Sequence, residues 1–366
     1  MKVLTIGWIS IFLIIIVMNI YVWNRYWMIP FETSKVFKTN IYLVIHLSLT
    51  ILSLYYFYLF FTGKTESKKA SILSKVAGFY LTFLHYSVIM YLIHDLVKFS
   101  SKFINYSESF RAFSHRLFFG GFVIFFIAFL ISIYSLINAK NIQITNYEIN
   151  LEKKESSLEK LDIVYISDAH IGVSVTRDNI AGLVEDINKL NPDILFLGGD
   201  FFDEGTKNES KSYFVEQINN VKTKYGIFYV EGNHEYKSGN CKIEEELSFF
   251  RGKNITVLQD EVYKTDDFII IGRKDRYGNN KKLEEIINDK ILNKPVILLD
   301  HRPGFKESSE IKDIDIQLSG HTHNGQFFPL SIFDILFSKV KKEYNYGYKK
   351  INKLQLIVSS GIGNWG

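Results

Sequence analysis

An α/β domain preceded by four membrane-spanning helices is the fold class that this 366-residue sequence predicts. Three observations carry that prediction. Four apolar runs of about 20 residues fill the first third of the chain. Short β-like apolar runs then alternate with segments of helical periodicity. Five of those β-like runs end in Asp, Asn or His, and in open α/β sheets sites form at the carboxyl ends of strands. The boundary is placed so that residues 1–140 form the membrane region and 141–366 the α/β domain.

The apolar runs are Val3–Trp23, Ile41–Phe61, Val76–Val97 and Leu117–Ile137. Each suits a helix crossing a ~30 Å hydrocarbon layer. The first is unbroken from Ile11 to Val17, and Trp23, Tyr26 and Trp27 stand at its end, where an interfacial aromatic belt belongs. Lys and Arg nearly balance between the two sets of links, so the positive-inside rule assigns no orientation. Four spans put the N-terminus and the α/β domain on one side of a cell membrane that the chain crosses several times. His46, His85, His94 and Asp95 are the ionisable groups within the spans. The position of His94-Asp95 near a span end favours an interfacial role over catalysis.

Composition narrows the partners. The net charge is only +4, and no basic cluster interleaved with aromatics stands out after the spans, so nucleic acid is not an expected partner. The single cysteine, Cys241, excludes an intramolecular disulfide framework and a thiolate zinc site.

Beyond the spans, a short strand is predicted over Ile142–Leu151, followed by a polar turn. Leu161–Ile166 reads as the next strand. Ile180, Leu183, Val184, Ile187 and Leu190 recur at helical spacing, giving a helix Arg177–Leu190 with Pro192 just past its end. Ile194–Leu197 follows as a strand, Glu209–Val221 as a helix and Ile227–Val230 as a strand. A helix Ile243–Phe250, strands within Val262–Ile271 and a helix Leu283–Ile291 come next. Val296–Leu299, Asp315–Leu318 and Leu354–Val358 complete the strands.

The strand ends carry the chemistry. The first gives Asp168 and His170, the second Gly198-Gly199-Asp200 and the third Gly232-Asn233-His234-Glu235. The fourth gives Asp300-His301, and Gly320-His321-Thr322-His323 closes the series. Any one of these is ordinary turn chemistry; five in succession are not. The set offers imidazoles, carboxylates and a carboxamide, too many groups for one tetrahedral zinc. It suits two cations sharing a bridging carboxylate, and nitrogen-rich sites favour Mn, Fe or Zn over Mg or Ca.

In this order the motifs Asp-x-His, Gly-Asp, Gly-Asn-His-Glu, His and Gly-His-x-His resemble the calcineurin-like metallophosphoesterase superfamily. Ser-Asp-x-His, Gly-Gly-Asp, His-x-Pro and Gly-His-Thr-His-x-Gly-Gln are similar to its bacterial membrane-associated YkuE/YaeI-like branch. The resemblance covers roughly residues 140–366. It implies a four-layer α/β/β/α sandwich and two divalent metal ions. One would be held by Asp168, His170, Asp200 and His323, the other by Asp200, Asn233, His301 and His321, with Asp200 bridging. His234 is then the catalytic group that faces the phosphate, Glu235 orients His234 or a ligand, and Gly325 and Gln326 shape the rim. The reaction implied is hydrolysis of a phosphomonoester, phosphodiester or pyrophosphate by a metal-bridged hydroxide, and the anchor points to a lipid-linked substrate. Two departures stand out. Asn324 occupies a position where that branch often has Gly, and the chain stops at Gly366 where a further Gly-rich turn and strand are expected, as in a truncated chain.

Two other readings compete. A non-catalytic membrane scaffold or sensor would keep the fold while losing ligands, yet every ligand position is intact. A transporter regulated by the α/β domain would need a polar pathway at the midplane, and no Gly/Pro-broken helix pair supplies one.

Overall fold

The structure is a computed structural model that describes residues 2–26, 35–61, 68–119, 122–151, 155–172, 175–203, 205–237, 243–287, 293–304, 313–326, 328 and 344–363. The chain divides into two compact units, Met1–Ile142 and Gln143–Gly366.

The first unit is helical: α1 Lys2–Tyr26, α2 Lys35–Phe61, α3 Lys68–Ser100, α4 Glu108–Phe119 and α5 Phe122–Asn138. Ile15, Val22, Leu84, Tyr91 and Ile124 form its core, while Leu13, Val17, Ile51, Leu96 and Tyr134 are exposed. Helices apolar on both faces need apolar cover, from a bilayer or from other protein. Among the described residues one helix, Lys69–Ser100, is long and apolar enough to cross a membrane, and Phe12–Arg25, Val44–Leu59 and Val123–Asn138 are shorter apolar stretches. The fourth run of the sequence falls on the end of α4 and on α5, and its residues 120 and 121 lie outside the described residues. Asp95 accepts from Tyr21 at 2.6 Å and pairs with Arg25, tying α3 to α1. Deeper in the bundle His46, Thr50, Asn19 and Tyr80 share hydrogen bonds across three helices.

The second unit alternates strands and helices. Its elements begin β1 Ile163–Ile166, α6 Arg177–Leu190, β2 Ile194–Leu197, α7 Asn208–Asn219, β3 Gly226–Tyr229, α8 Asn233–Lys237, α9 Ile243–Ser248 and β4 Ile255–Val257. They continue with β5 Glu261–Lys264, β6 Ile269–Gly272, α10 Leu283–Ile286, β7 Val296–Leu299, β8 Ile316–Ser319, β9 Gly347–Ile351 and β10 Leu354–Val358. One parallel sheet runs β1-β2-β3-β4. The other runs β5-β6-β7-β8-β10-β9, parallel except at its two outer pairings.

The period of two along each strand decides where side chains go. Leu195, Leu197 and Tyr229 face Ile180, Leu183 and Phe214 of the helices. Their neighbours Ile194, Phe196 and Phe228 face Ile270, Leu299 and Leu318 of the other sheet. On the far side of that sheet Ile271, Leu298 and Leu356 pack against Leu283 and Ile286. Strands β2, β6, β7 and β8 are buried at every position, as strands covered on both faces must be. Helix α6 ends where Asn191 turns left-handed (φ 47°) just before Pro192.

Some expectations are corrected. Ile142–Leu151 forms no strand; Ile149 and Leu151 instead lay their side chains against the core between the sheets without a pairing partner. The helix expected over Leu283–Ile291 is Leu283–Ile286, and 288–292 lie outside the described residues. Strands β4 and β9 and helices α4 and α8 were not expected.

Candidate metal centre

Five of the seven candidate ligands leave their strands through turns of unusual backbone. Asp168 (φ 54°), His170 (45°), Asp200 (54°), His321 (72°) and His323 (49°) all lie in the left-handed region. Such strain in non-glycine residues persists only where surrounding structure enforces it, and it clusters at functional sites. Asn324 (φ 50°) shares that conformation, which Asn tolerates better than other side-chain-bearing residues and which glycine adopts freely.

Those turns bring two triads together. Asp168, His170 and His323 offer ligand atoms within 4.8 Å of one another, and so do Asp200, His301 and His321. In the first, His170 Nε2 and His323 Nε2 are 3.0 Å apart, and His323 Nε2 is 3.4 Å from Asp168 Oδ1. In the second, His301 Nε2 is 3.1 Å from Asp200 Oδ2. The far nitrogen of each key imidazole is already engaged. His301 Nδ1 bonds the Gly198 carbonyl oxygen at 2.8 Å, and His170 Nδ1 bonds Asp203 at 2.7 Å. That arrangement fixes the tautomer and aims Nε2 inward, as carboxylates and carbonyls do behind metal-bound histidines.

Asn233, at the start of α8, is 3% exposed, and its Oδ1 is buried with no hydrogen-bond partner. A buried carboxamide oxygen left unpaired costs free energy unless something electropositive meets it. His170 Nε2 and His323 Nε2 share a hydrogen bond in the metal-free chain, which a cation between them would replace. With carboxylates, imidazoles and a carboxamide, the donors fit divalent cations.

Two further carboxylates support the ligands. One Asp203 oxygen bonds His170 Nδ1 at 2.7 Å and lies 3.1 Å from His234 Nδ1. Asp203 was not picked out from the sequence, where it follows Phe201-Phe202 and is three residues past Asp200, off the i, i+2 spacing of the other pairs. Glu235 acts on the turn backbone: it accepts from the N–H groups of Asp200 (3.0 Å), Phe201 (2.8 Å) and Gly232 (2.8 Å). Asp200 Oδ1 in turn accepts from His234 N at 2.7 Å, so the Asp200 and Asn233 turns hold each other. The last glycines reach the site as well: Gly363 N donates to the Asp168 carbonyl oxygen at 3.0 Å.

The electrostatics split the histidines. Burial lowers the His170 imidazole, but the Asp203 carboxylate overrides it and raises the pKa to about 9. For His301 burial likewise loses to Asp200, and the pKa rises to about 10. Burial and the neighbouring His301 cation push His321 down to about 2. Burial raises Glu235 to about 7, helped by the adjacent Asp200 charge.

One glycine here has no substitute. Gly199 sits at φ +88°, and a Cβ on it would lie 2.5 Å from Gly232 N and 2.8 Å from Gly232 Cα. Gly199→Ala combines left-handed strain with overpacking against rigid backbone, so a loss of about 2–4 kcal/mol is expected. Thermal unfolding of the full chain measures it; an unchanged midpoint would mean that the turn relaxes freely.

Comparison with known proteins agrees in extent with this site. The profile of the calcineurin-like phosphoesterase family matches residues 161–325. An uncharacterized metallophosphoesterase of Helicobacter pylori (strain ATCC 700392 / 26695) is 36% identical over 220 residues, covering 57% of each chain. One from Aquifex aeolicus (strain VF5) is 30% identical over 251 residues, 66% of this chain and 92% of that one. A transmembrane protein with metallophosphoesterase domain from Danio rerio is 28% identical over 330 residues, 85% of this chain and 73% of that one. The chain thus spans only 57% of the length of the Helicobacter relative.

Proposed function

Since the chain belongs to the calcineurin-like phosphoesterase family, we propose that its second unit hydrolyses phosphate esters at a two-cation centre and that its helical unit anchors it in a membrane. The observation that carries the catalytic reading is the pair of triads at the strand ends. Asp168, His170, Asp200 and His323 would hold one cation. Asp200, Asn233, His301 and His321 would hold the other, with Asp200 shared. The three apolar cores support the four-layer α/β/β/α description.

When bound, two divalent cations supply Lewis acidity that lowers the pKa of water and polarises the phosphoryl group. The rest belongs to the chain. His234 is the proton donor to the leaving oxygen. Asp203 Oδ1 lies 3.1 Å from its Nδ1, beside the ring. Glu235 fixes the Asp200 turn through backbone N–H groups, so the shared carboxylate is positioned before substrate arrives. The third cluster, His170, Asp203 and His234, is better read as an orienting group than as a ligand set, because one Asp203 oxygen already lies within 3.1 Å of both Nδ1 atoms.

The exposed apolar faces of the helical unit support a membrane location, and the four-span reading extends this to the shorter helices. The name of the Danio rerio relative, a transmembrane protein, points the same way. A lipid-linked phosphate is the substrate class that such an anchor favours, as a phosphomonoester, diester or pyrophosphate. Purified full-length protein with added Mn²⁺ should hydrolyse a generic aryl phosphodiester or monoester. Metal demonstrably bound without hydrolysis of either, or of any lipid-linked phosphate, would contradict the reading.

Metal loading should release protons. The raised pKa values, about 9 for His170 and about 10 for His301, mean that both imidazoles are protonated in the metal-free chain at neutral pH. A cation can be ligated only by the neutral ring, so each loading event expels a proton. Apparent affinity should therefore rise about tenfold per pH unit for each proton released, the His170 contribution levelling off above about pH 9 and the His301 contribution above about pH 10. Calorimetry in buffers of different ionisation enthalpy counts those protons; a pH-independent affinity between pH 6 and 8 would rule out this ligand chemistry.

A further inference from the structure

We propose that the tyrosine-bearing edge of the second sheet, at β9, docks on an anionic bilayer surface next to the metal centre. The proposal rests on reading the helical unit as a membrane anchor.

Tyr147 and Tyr348 lie with ring centroids 6.0 Å apart, and Tyr346 is close enough to act electrostatically on the Tyr147 phenol. All three are large rings in contact with solvent: Tyr346 is 49% exposed, Tyr348 43% and Tyr147 40%, with Ile144 at 55% beside them in sequence. Lys349 and Lys350 follow Tyr348 directly and are exposed. The nearest acidic residue in the 143–151 segment, Glu148, interacts with Lys160. Phenol rings with an apolar body and a polar tip, flanked by lysines, have the chemistry of the headgroup layer. Lysines near an anionic leaflet add attraction that salt screens.

Covalent connectivity favours the same partner. Asn138 ends α5, and Tyr147 follows nine residues later. A nine-residue tether reaches about 30 Å at full extension. The chain therefore cannot carry Tyr147 more than about 30 Å from the end of α5, and a bilayer holding α5 is present to it at high effective concentration.

The same segment is fastened to the metal centre. Thr322 Oγ1, between His321 and His323, donates to the Asn345 carbonyl oxygen at 2.5 Å. Asn345 Nδ2 donates to Asn324 Oδ1 at 3.1 Å. The Tyr344 ring lies beside Gly304, in the loop that follows His301. A membrane resting on Tyr346 and Tyr348 would bring headgroup phosphates to the loops that carry these histidines. A phosphate ester borne on a lipid headgroup is then the substrate class that gains from docking, whereas a water-soluble ester gains nothing.

The test uses the full chain in lipid nanodiscs, with Cys241→Ser removing the native thiol. A single cysteine is introduced by Tyr346→Cys, or by Leu92→Cys on the exposed face of α3, and labelled with an environment-sensitive fluorophore. Brominated lipids report contact. In discs of phosphatidylcholine with phosphatidylglycerol both labels should be quenched, the label at 346 at headgroup depth. That quenching alone should weaken in high salt or in phosphatidylcholine discs. Quenching at 92 but not at 346 overturns the docking proposal and leaves the anchor reading standing. Quenching at neither overturns the anchor reading and docking with it. Shielding at 346 that depends on protein concentration and not on lipid would mean that a second copy covers the edge, which also overturns the proposal. In the same discs Tyr346→Ser should lower turnover of a bilayer-borne phosphate ester about tenfold and leave an aryl phosphodiester unaffected. Equal loss on both would mean that Tyr346 serves the site itself and would overturn docking.

Discussion

Asp200→Asn is expected to strip metal from the centre and lower turnover by at least about a thousandfold, some 4 kcal/mol of transition-state stabilisation. Asp200 is 2% exposed, and both of its oxygens are committed. Oδ1 accepts from His234 N at 2.7 Å, and Oδ2 lies 3.1 Å from His301 Nε2. Asn matches the volume and can keep the bond from His234 N. It loses the charge and turns an NH₂ group toward His301, where a ligand oxygen is needed. The His301 cation that holds the Asp200 pKa far below the usual carboxylate range loses its partner too. Because the carboxylate is assigned to both cations, metal content and turnover should fall together. Near-normal turnover in Asp200→Asn would remove Asp200 from the bridging role.

His234→Ala should separate those two quantities. His234 is 8% exposed at the start of α8, and its ring centroid is 4.8 Å from that of His170. Its assigned work is proton transfer, which contributes about 10²–10⁴-fold. The variant should retain both metals and lose turnover by that factor. An aryl ester with a better leaving group should suffer less. The backbone N–H that bonds Asp200 survives the substitution, so the Asp200 turn has no reason to open. A variant short of metal would make His234 a ligand instead.

Much of the site could be read from the sequence because its residues follow the strands. Asp168, His170, Asp200, Asn233, His301, His321 and His323 each stand within a few residues of a strand end, and parallel strands deliver their carboxyl ends to one edge. Asp203 escaped because its role depends on where the Phe201-Phe202 turn places it, which no spacing rule reports. The contacts that tie Glu235 to the N–H groups of the Asp200 turn are equally invisible in sequence, since they join residues 35 and 34 positions apart. Ile142–Leu151 failed as a strand for another reason. Its alternating isoleucines suit a half-buried surface, yet a strand needs a partner edge, and this segment contributes side chains to a core without joining a ladder. Strand β9 was missed because Tyr348-Lys349-Lys350 reads as polar loop; Asn352 (φ 54°) makes the turn that pairs it with β10. The apolar runs located helices α1, α2, α3 and α5.

The most direct measurement is the number of metal ions per full-length chain purified with Mn²⁺, read beside turnover of an aryl phosphodiester as the metal is titrated in. Two ions per chain are expected, with turnover appearing only as the second is bound. Full turnover with one ion per chain, or any turnover in a chain holding none, would contradict the two-cation centre.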